Sequence, residues 1–278
     1  MNAPEALVES TAPPIVDRGD NAAGRVWLPI YTLWLREIVR FLRQRSRITG
    51  ALAQPLVFWL LLGGGLNASF RPAGQGGTSY VAYFYPGMIA LVLLFTAIFA
   101  TIATVEDRKA GFLQGVLVAP VPRWAIVLGQ AAGGTTLAVL QGGLTLALAP
   151  LIGIHLTLLA VVSTLIVMVI VALGLTCLGL IIAWRMDSTQ GFHAIMNLIL
   201  IPIWLLSGAF FPATGAPAPL SWLMALDPLT YGMTALRHCL YLGDPTMVGS
   251  APDLGVALLA TVAFAIVALA AAARSARS

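Results

Sequence analysis

Residues 157–183 run without a single charged side chain, and as a helix they are long enough to cross a hydrocarbon core of roughly 30 Å. Nothing else constrains the chain as much. In lipid the backbone must satisfy its own N–H and C=O groups, so a lone apolar segment of this kind crosses as an α-helix. Comparable runs occur near 48–66, 80–105, 124–151, 193–211 and 253–273, and the sequence therefore predicts six spans. Composition agrees: 59% of residues are hydrophobic and 9% charged, against about 25% charged in a soluble domain. The formal charge of +4 flanks apolar segments and forms no groove or stripe, so it carries no nucleic-acid signal.

Residues 1–24 hold Glu5, Glu9, Asp17, Asp20 and three prolines. They lack the basic start and apolar run of a signal peptide, and a disordered tail is expected. In residues 25–47 the pattern turns amphipathic. Arg36, Arg40, Arg43 and Arg47 fall within about 60° of one another on a helical wheel, opposite Trp34, Leu35, Ile38, Val39, Phe41 and Leu42. Such a helix should lie in the membrane surface, its arginines towards anionic headgroups or a docked protein. With six spans both termini share one side. That side takes Arg36, Arg40, Arg43, Arg45, Arg47, Arg108, Lys109, Arg123, Arg185, Arg274 and Arg277, while the other takes Arg71 and Arg237. The bias puts both termini in the cytoplasm.

Between the second and third spans, residues 106–123 form the most polar interior stretch. Glu106, Asp107, Arg108 and Lys109 close the span, since each charge would cost roughly 2.5–3.5 kcal/mol at the bilayer centre. Beyond Gly111, the residues Phe112, Leu113, Val116 and Leu117 share one side of a short helix that contains Gln114. Pro120 and Pro122, around Val121, end it. A short amphipathic helix clamped between spans and facing water is a suitable lever for a partner protein. Before the last span, residues 212–243 are too apolar for a solvated loop. Asp227-Pro228 marks a helix start, with Asp as N-cap and Pro at the first helical position. Two short apolar helices outside the cell are expected there, dipping into the outer leaflet.

The cluster Glu106-Asp107-Arg108, then Gly111-Phe112-Leu113 and Leu117-Val118-Ala119-Pro120-Val121, then Leu128-Gly129-Gln130, resembles the coupling segment of type-2 ATP-binding-cassette exporter permeases. Asp107 intervenes in the family's Glu-Arg pair, and Gln130 stands where Lys is common. The run Ser207-Gly208-Ala209-Phe210-Phe211-Pro212, followed by Asp227-Pro228-Leu229-Thr230-Tyr231 and Arg237, resembles the same family's segment before its last span, with Asp227 replacing the usual Asn. The resemblance covers about residues 27–273. It implies an all-α integral membrane protein of six transmembrane helices, with an N-terminal amphipathic interface helix and short re-entrant outer helices. Residues 48–278 would form one permease domain of the cytoplasmic (inner) membrane. It further implies a homodimer, outward transport, and a separate ATPase subunit that carries ATP and Mg.

The chain's own residues agree with a separate ATPase. Its one lysine, Lys109, precedes Ala110, so no Gly-Lys-Ser/Thr phosphate loop exists here. Cys177 and Cys239 have no spaced companions for a metal site, and no catalytic residue is assigned. Two other classes stay open: a membrane-embedded lipid-modifying enzyme, with Asp187, Ser188 and His193 as its nearest candidates, and an ion-coupled carrier. Against the carrier, no Asp, Glu, Arg or Lys lies in mid-span. Aromatic residues gather towards the outer side: Trp59, then Tyr80, Tyr83 and Phe84 on one helical face, then Trp204, Phe210 and Phe211. They are the candidate path for an amphipathic cargo held by stacking, with surrounding lipids as the other contact.

Overall fold

The structure, a computed structural model, describes residues 22–43, 80–118, 121–210, 216–242, 244–248 and 251–276, with isolated positions between 53 and 65. The expected first span, 48–66, apart from those positions, and residues 1–21 of the expected tail therefore lie outside the described residues, as do Arg47, Trp59, Pro120 and Phe211, while residues 22–24 of that tail are helical. Among the described residues every element is a helix.

Helix α1 covers Ala22–Arg43. The second span is built from α2, Tyr80–Ala100, and α3, Ile102–Lys109. A short helix α4, Phe112–Val118, follows Gly111, whose φ of 74° suits a residue without a Cβ. The third span is α5, Arg123–Ala147, extended by a 3-10 turn, Ala149–Ile152. The fourth is α6, Leu158–Ala183, and the fifth α7, Thr189–Leu206. Outside them come α8, Ala218–Leu226, α9, Pro228–Leu240, and a single turn α10, Pro245–Val248. The last span is α11, Leu254–Ser275. Five helical segments are long and apolar enough to cross a membrane among the described residues.

Local chemistry sets the ends. The Thr157 hydroxyl accepts from Ala160 N at 3.2 Å and starts α6. Ser188 accepts from Gly191 N at 3.3 Å, which begins α7 about one turn before the expected residue 193. Asp227 accepts from Leu229 N at 3.0 Å with Pro228 at the first helical position, as the sequence predicts. The second span does not stop at residue 105. Its helix runs on to Lys109, because side chains from α1 neutralise the two acids there.

The second span is the axis of the bundle. Its most apolar window is 83% buried, against 22% for Thr189–Leu206. Phe84, Ile89, Leu93 and Ile98 pack with Met168 and Leu175 of α6, Met196 and Leu200 of α7, and Leu236 of α9. A second cluster, at the α1 end of the bundle, joins Leu33 of α1 to Leu113, Ile126, Leu180 and Trp184. Association in lipid depends on close packing more than on apolar transfer. Gly129 and Gly133, one turn apart on α5, pack closely against α1. A Cβ at Gly129 would lie 2.8 Å from Leu33 Cβ, and one at Gly133 2.7 Å from Glu37 Cβ. The Trp34 indole donates to Thr136 Oγ1 at 3.0 Å along the same seam. The opposite face of α1 leaves Leu28, Tyr31, Leu35, Val39 and Leu42 exposed, a stripe suited to lipid.

Candidate coupling site and outer junction

Two acids in the last turn of a helix sit badly with its dipole. Here the arginines of α1 compensate them. Arg36 donates from Nη1 to Asp107 Oδ2 and from Nη2 to Asp107 Oδ1, both at 2.5 Å. Arg40, one turn later, reaches Asp107 Oδ1 at 3.2 Å and Glu106 Oε2. The Asp107 side chain is 6% exposed. The Arg36 guanidinium is held above its ordinary range, chiefly by the hydrogen bonds to Asp107. Arg36 and Arg40 thus face the Glu106–Phe112 stretch of their own chain, where the sequence pattern alone pointed to headgroups or a partner. Arg43 is exposed.

The same clamp reaches α4. The Arg36 guanidinium carbon sits 3.9 Å from the centroid of the Phe112 ring. Leu113 is buried in the second cluster, Val121 packs at its edge, and Phe112 and Val118 are 42% and 87% exposed. The side chains of Gln114 and Leu117 lie outside the described residues. Arg108 turns the other way, donating to the Trp184 carbonyl and reaching Asp187 Oδ1 at 3.5 Å. The Lys109 end of the second span is thereby tied to α1 on one side and to the end of α6 on the other.

At the Tyr80 end of the second span the expected aromatic face comes together. Tyr80 and Phe84 stack with centroids 5.9 Å apart, and Phe84 meets Phe210 at 5.2 Å. Trp204 meets Phe210 edge-on at 4.6 Å. Tyr80, Tyr83, Phe84 and Trp204 are at most 4% exposed, so the rings contact one another inside the chain. A span that is apolar all round is the one a bundle buries. Sequence reasoning missed what surrounds them. Trp204 Nε1 donates to the Gly87 carbonyl at 2.9 Å. The Gly208 carbonyl accepts from Tyr83 Oη at 3.3 Å and from Arg237 Nη2 at 3.2 Å, with Arg237 4.3 Å from the Tyr83 ring centroid. Tyr241 Oη donates to the Ala82 carbonyl at 2.5 Å. Pro86, visible in the sequence as a helix-breaking residue inside a span, was the available signal.

A second missed feature lies on α7. Gln190, His193 and Asn197 are exposed at i, i+3 and i+7, and the His193 ring sits 5.2 Å from that of Phe99 on the second span. The enzyme candidates are occupied separately: Asp187 faces Arg108, the Ser188 hydroxyl caps α7, and His193 rests on Phe99. Among the described residues no three His, Cys, Asp or Glu side chains come close enough to hold a metal.

The ABC-2 type transporter family model matches residues 29–241. Nodulation protein J of Rhizobium leguminosarum bv. viciae is 30% identical over 232 residues, 82% of this chain and 84% of that protein. The inner membrane transport permease YadH of Escherichia coli (strain K12) is 25% identical over 245 residues, 87% and 93% of the two. The putative transport permease ycf38 of Cyanophora paradoxa is 24% identical over 212 residues, 75% and 72% of the two. The match spans both the charge clamp and the outer junction, and the chain belongs to the ABC-2 type transporter family as a multi-pass membrane transport permease.

Proposed function

We propose that this permease is the membrane subunit of an ATP-driven exporter and that it docks a separate ATPase through α4. The observation that carries the reading is the clamp. Arg36 and Arg40 fix Glu106 and Asp107 and hold Phe112 beneath a guanidinium, which leaves a short helix presenting Phe112 and Val118 to water. An exposed apolar pair on a charge-anchored helix suits a protein contact. ATP and Mg belong to the partner chain, which supplies hydrolysis. The permease converts the push on α4 into movement of the second span. Both termini and α4 lie on the cytoplasmic side by the charge bias, and cargo moves outward.

The α7 stripe supports a dimer of two permease copies. Gln190, His193 and Asn197 would be costly against lipid, but they suit a seam with a second copy or a path between the two. Phe95 and Phe99 lie partly buried beside them. A path with apolar rings and amide or imidazole groups fits an amphipathic cargo.

The test replaces Phe112 and Val118 together with aspartate. The variant is expected to insert normally, fail to retain the ATPase on purification, and lose transport. Normal docking and transport by the double variant would overturn the reading.

A further inference from the structure

Pro86 lies inside α2 and has no N–H, so the Ala82 carbonyl, four residues earlier, loses its helical donor, and the proline ring pushes that carbonyl outward. In lipid such a carbonyl needs another partner. The Tyr241 hydroxyl, from the residue that ends α9, provides it at 2.5 Å. Arg237, one turn earlier on the same face, reaches the Gly208 carbonyl at the end of α7 and covers Tyr83. Gly87, directly after the break, admits the turn that follows α7: a Cβ there would lie 2.7 Å from Ala209 Cβ.

We propose that Tyr241 is a positioning residue for transport. Its hydroxyl stands in for the amide that Pro86 lacks and ties α9 to the outer turn of the second span, so that the two move as one body. A helix whose ladder is broken would otherwise let its outer turn fray away from the rod below it. With Tyr241 in place, the position of that turn is set by α9 and not by the ladder. A displacement begun at α4 then arrives at α8 and α9. This transport consequence rests on the reading given above, whereas the mechanical tie does not.

The experiment follows amide hydrogen exchange by mass spectrometry on the purified permease in lipid nanodiscs, without any ATPase. In Tyr241→Phe the amides of residues 80–85 should exchange about tenfold faster, while those of Arg123–Ala147 stay unchanged. Tyr231→Phe, which removes a hydroxyl that serves the Ala225 carbonyl at 3.0 Å, should leave residues 80–85 as they are. The deciding variant is Pro86→Ala with Tyr241→Phe. An alanine restores the donor to Ala82, so the outer turn should return to within about twofold of the wild-type rate. Unchanged exchange in Tyr241→Phe, acceleration throughout the protein, or no rescue by Pro86→Ala overturns the proposal. In complex with the ATPase, Tyr241→Phe should lower the ratio of cargo-stimulated to basal hydrolysis. A changed exchange rate with an unchanged ratio would keep the tie and reject its part in transport.

Discussion

Removing the charge of Asp107 gives the sharpest test of the clamp. Asp107→Asn keeps the shape but takes away the anion that two guanidiniums share through contacts at 2.5, 2.5 and 3.2 Å. A hydrogen bond to a charged group is worth about 1.5–3 kcal/mol, and a fully buried pair costs about 3–5 kcal/mol to break. The carboxylate is 6% exposed, but the Arg36 and Arg40 side chains are 32% and 24% exposed, so water replaces part of what is lost. About 2 kcal/mol is the expected cost to the order of the 106–118 stretch. If the ATPase binds only the ordered segment, its affinity should fall by up to about 30-fold, the limit reached when the ordered form becomes the minor one. The assay titrates purified ATPase onto the permease in nanodiscs for wild type, Asp107→Asn, Arg36→Gln and the double variant. Once Asp107 is gone, Arg36→Gln should add less than about 0.5 kcal/mol. Two full and additive losses would mean that Arg36 and Asp107 act apart, and the clamp as drawn would be refuted.

Sidedness can be read with single cysteines in a background lacking Cys177 and Cys239: Ala218→Cys should react with an impermeant thiol reagent in intact cells and Gly115→Cys should not, and the reverse pattern would overturn the charge bias. The seam between α1 and α5 should not tolerate bulk, so Gly133→Val should cost about 1–3 kcal/mol in thermal unfolding. Gly143→Ala, where the nearest atom to a new Cβ is 3.9 Å away, should be near neutral; equal effects would remove α1 from that groove. Burial raises the Asp227 carboxyl from 3.8 to about 7, so the folded protein binds a proton that the unfolded chain has released, and stability falls as the pH climbs from about 4 through about 7 by up to ~4 kcal/mol. Asp227→Asn should flatten that slope in melts between pH 5 and 8, and a variant that keeps it would acquit Asp227.

The parts of this fold that were legible are those whose cause is local. Apolar runs gave spans two to six to within a turn or so, and the Asp227 cap before α9 follows from residue type and spacing. The α7 start was misplaced because Ser188, its cap, sits in a polar loop next to Asp187 and two cap positions competed. The clamp was not legible. Arg36 and Asp107 are distant in the chain, and a basic helix face looks the same whether it meets headgroups or an acid pair. The aromatic face of Tyr80, Tyr83 and Phe84 was readable as a face, but its direction was not, since a helix apolar all round gives no amphipathic bearing. Pro86 announced an unsatisfied carbonyl without naming its donor.

The interruption at Thr101 bears on how a push at one end of the second span reaches the other. A hinge there would dissipate the motion. Thr101 Oγ1 donates to the Ile98 carbonyl at 2.7 Å, and the backbone continues through Thr101 N to Ile98 O and Thr104 N to Thr101 O, both at 3.0 Å. Bending also needs room, and α6 leaves none: a Cβ at Gly179 would lie 2.8 Å from Thr101 Oγ1. Close packing against a neighbouring helix resists a change of angle even where the ladder is irregular. Tyr80–Lys109 is therefore better treated as one rod than as two hinged pieces. Its Lys109 end is held by charges and its Tyr80 end by hydrogen bonds to carbonyls, and the compliant point along it is the break at Pro86, where Tyr241 takes over.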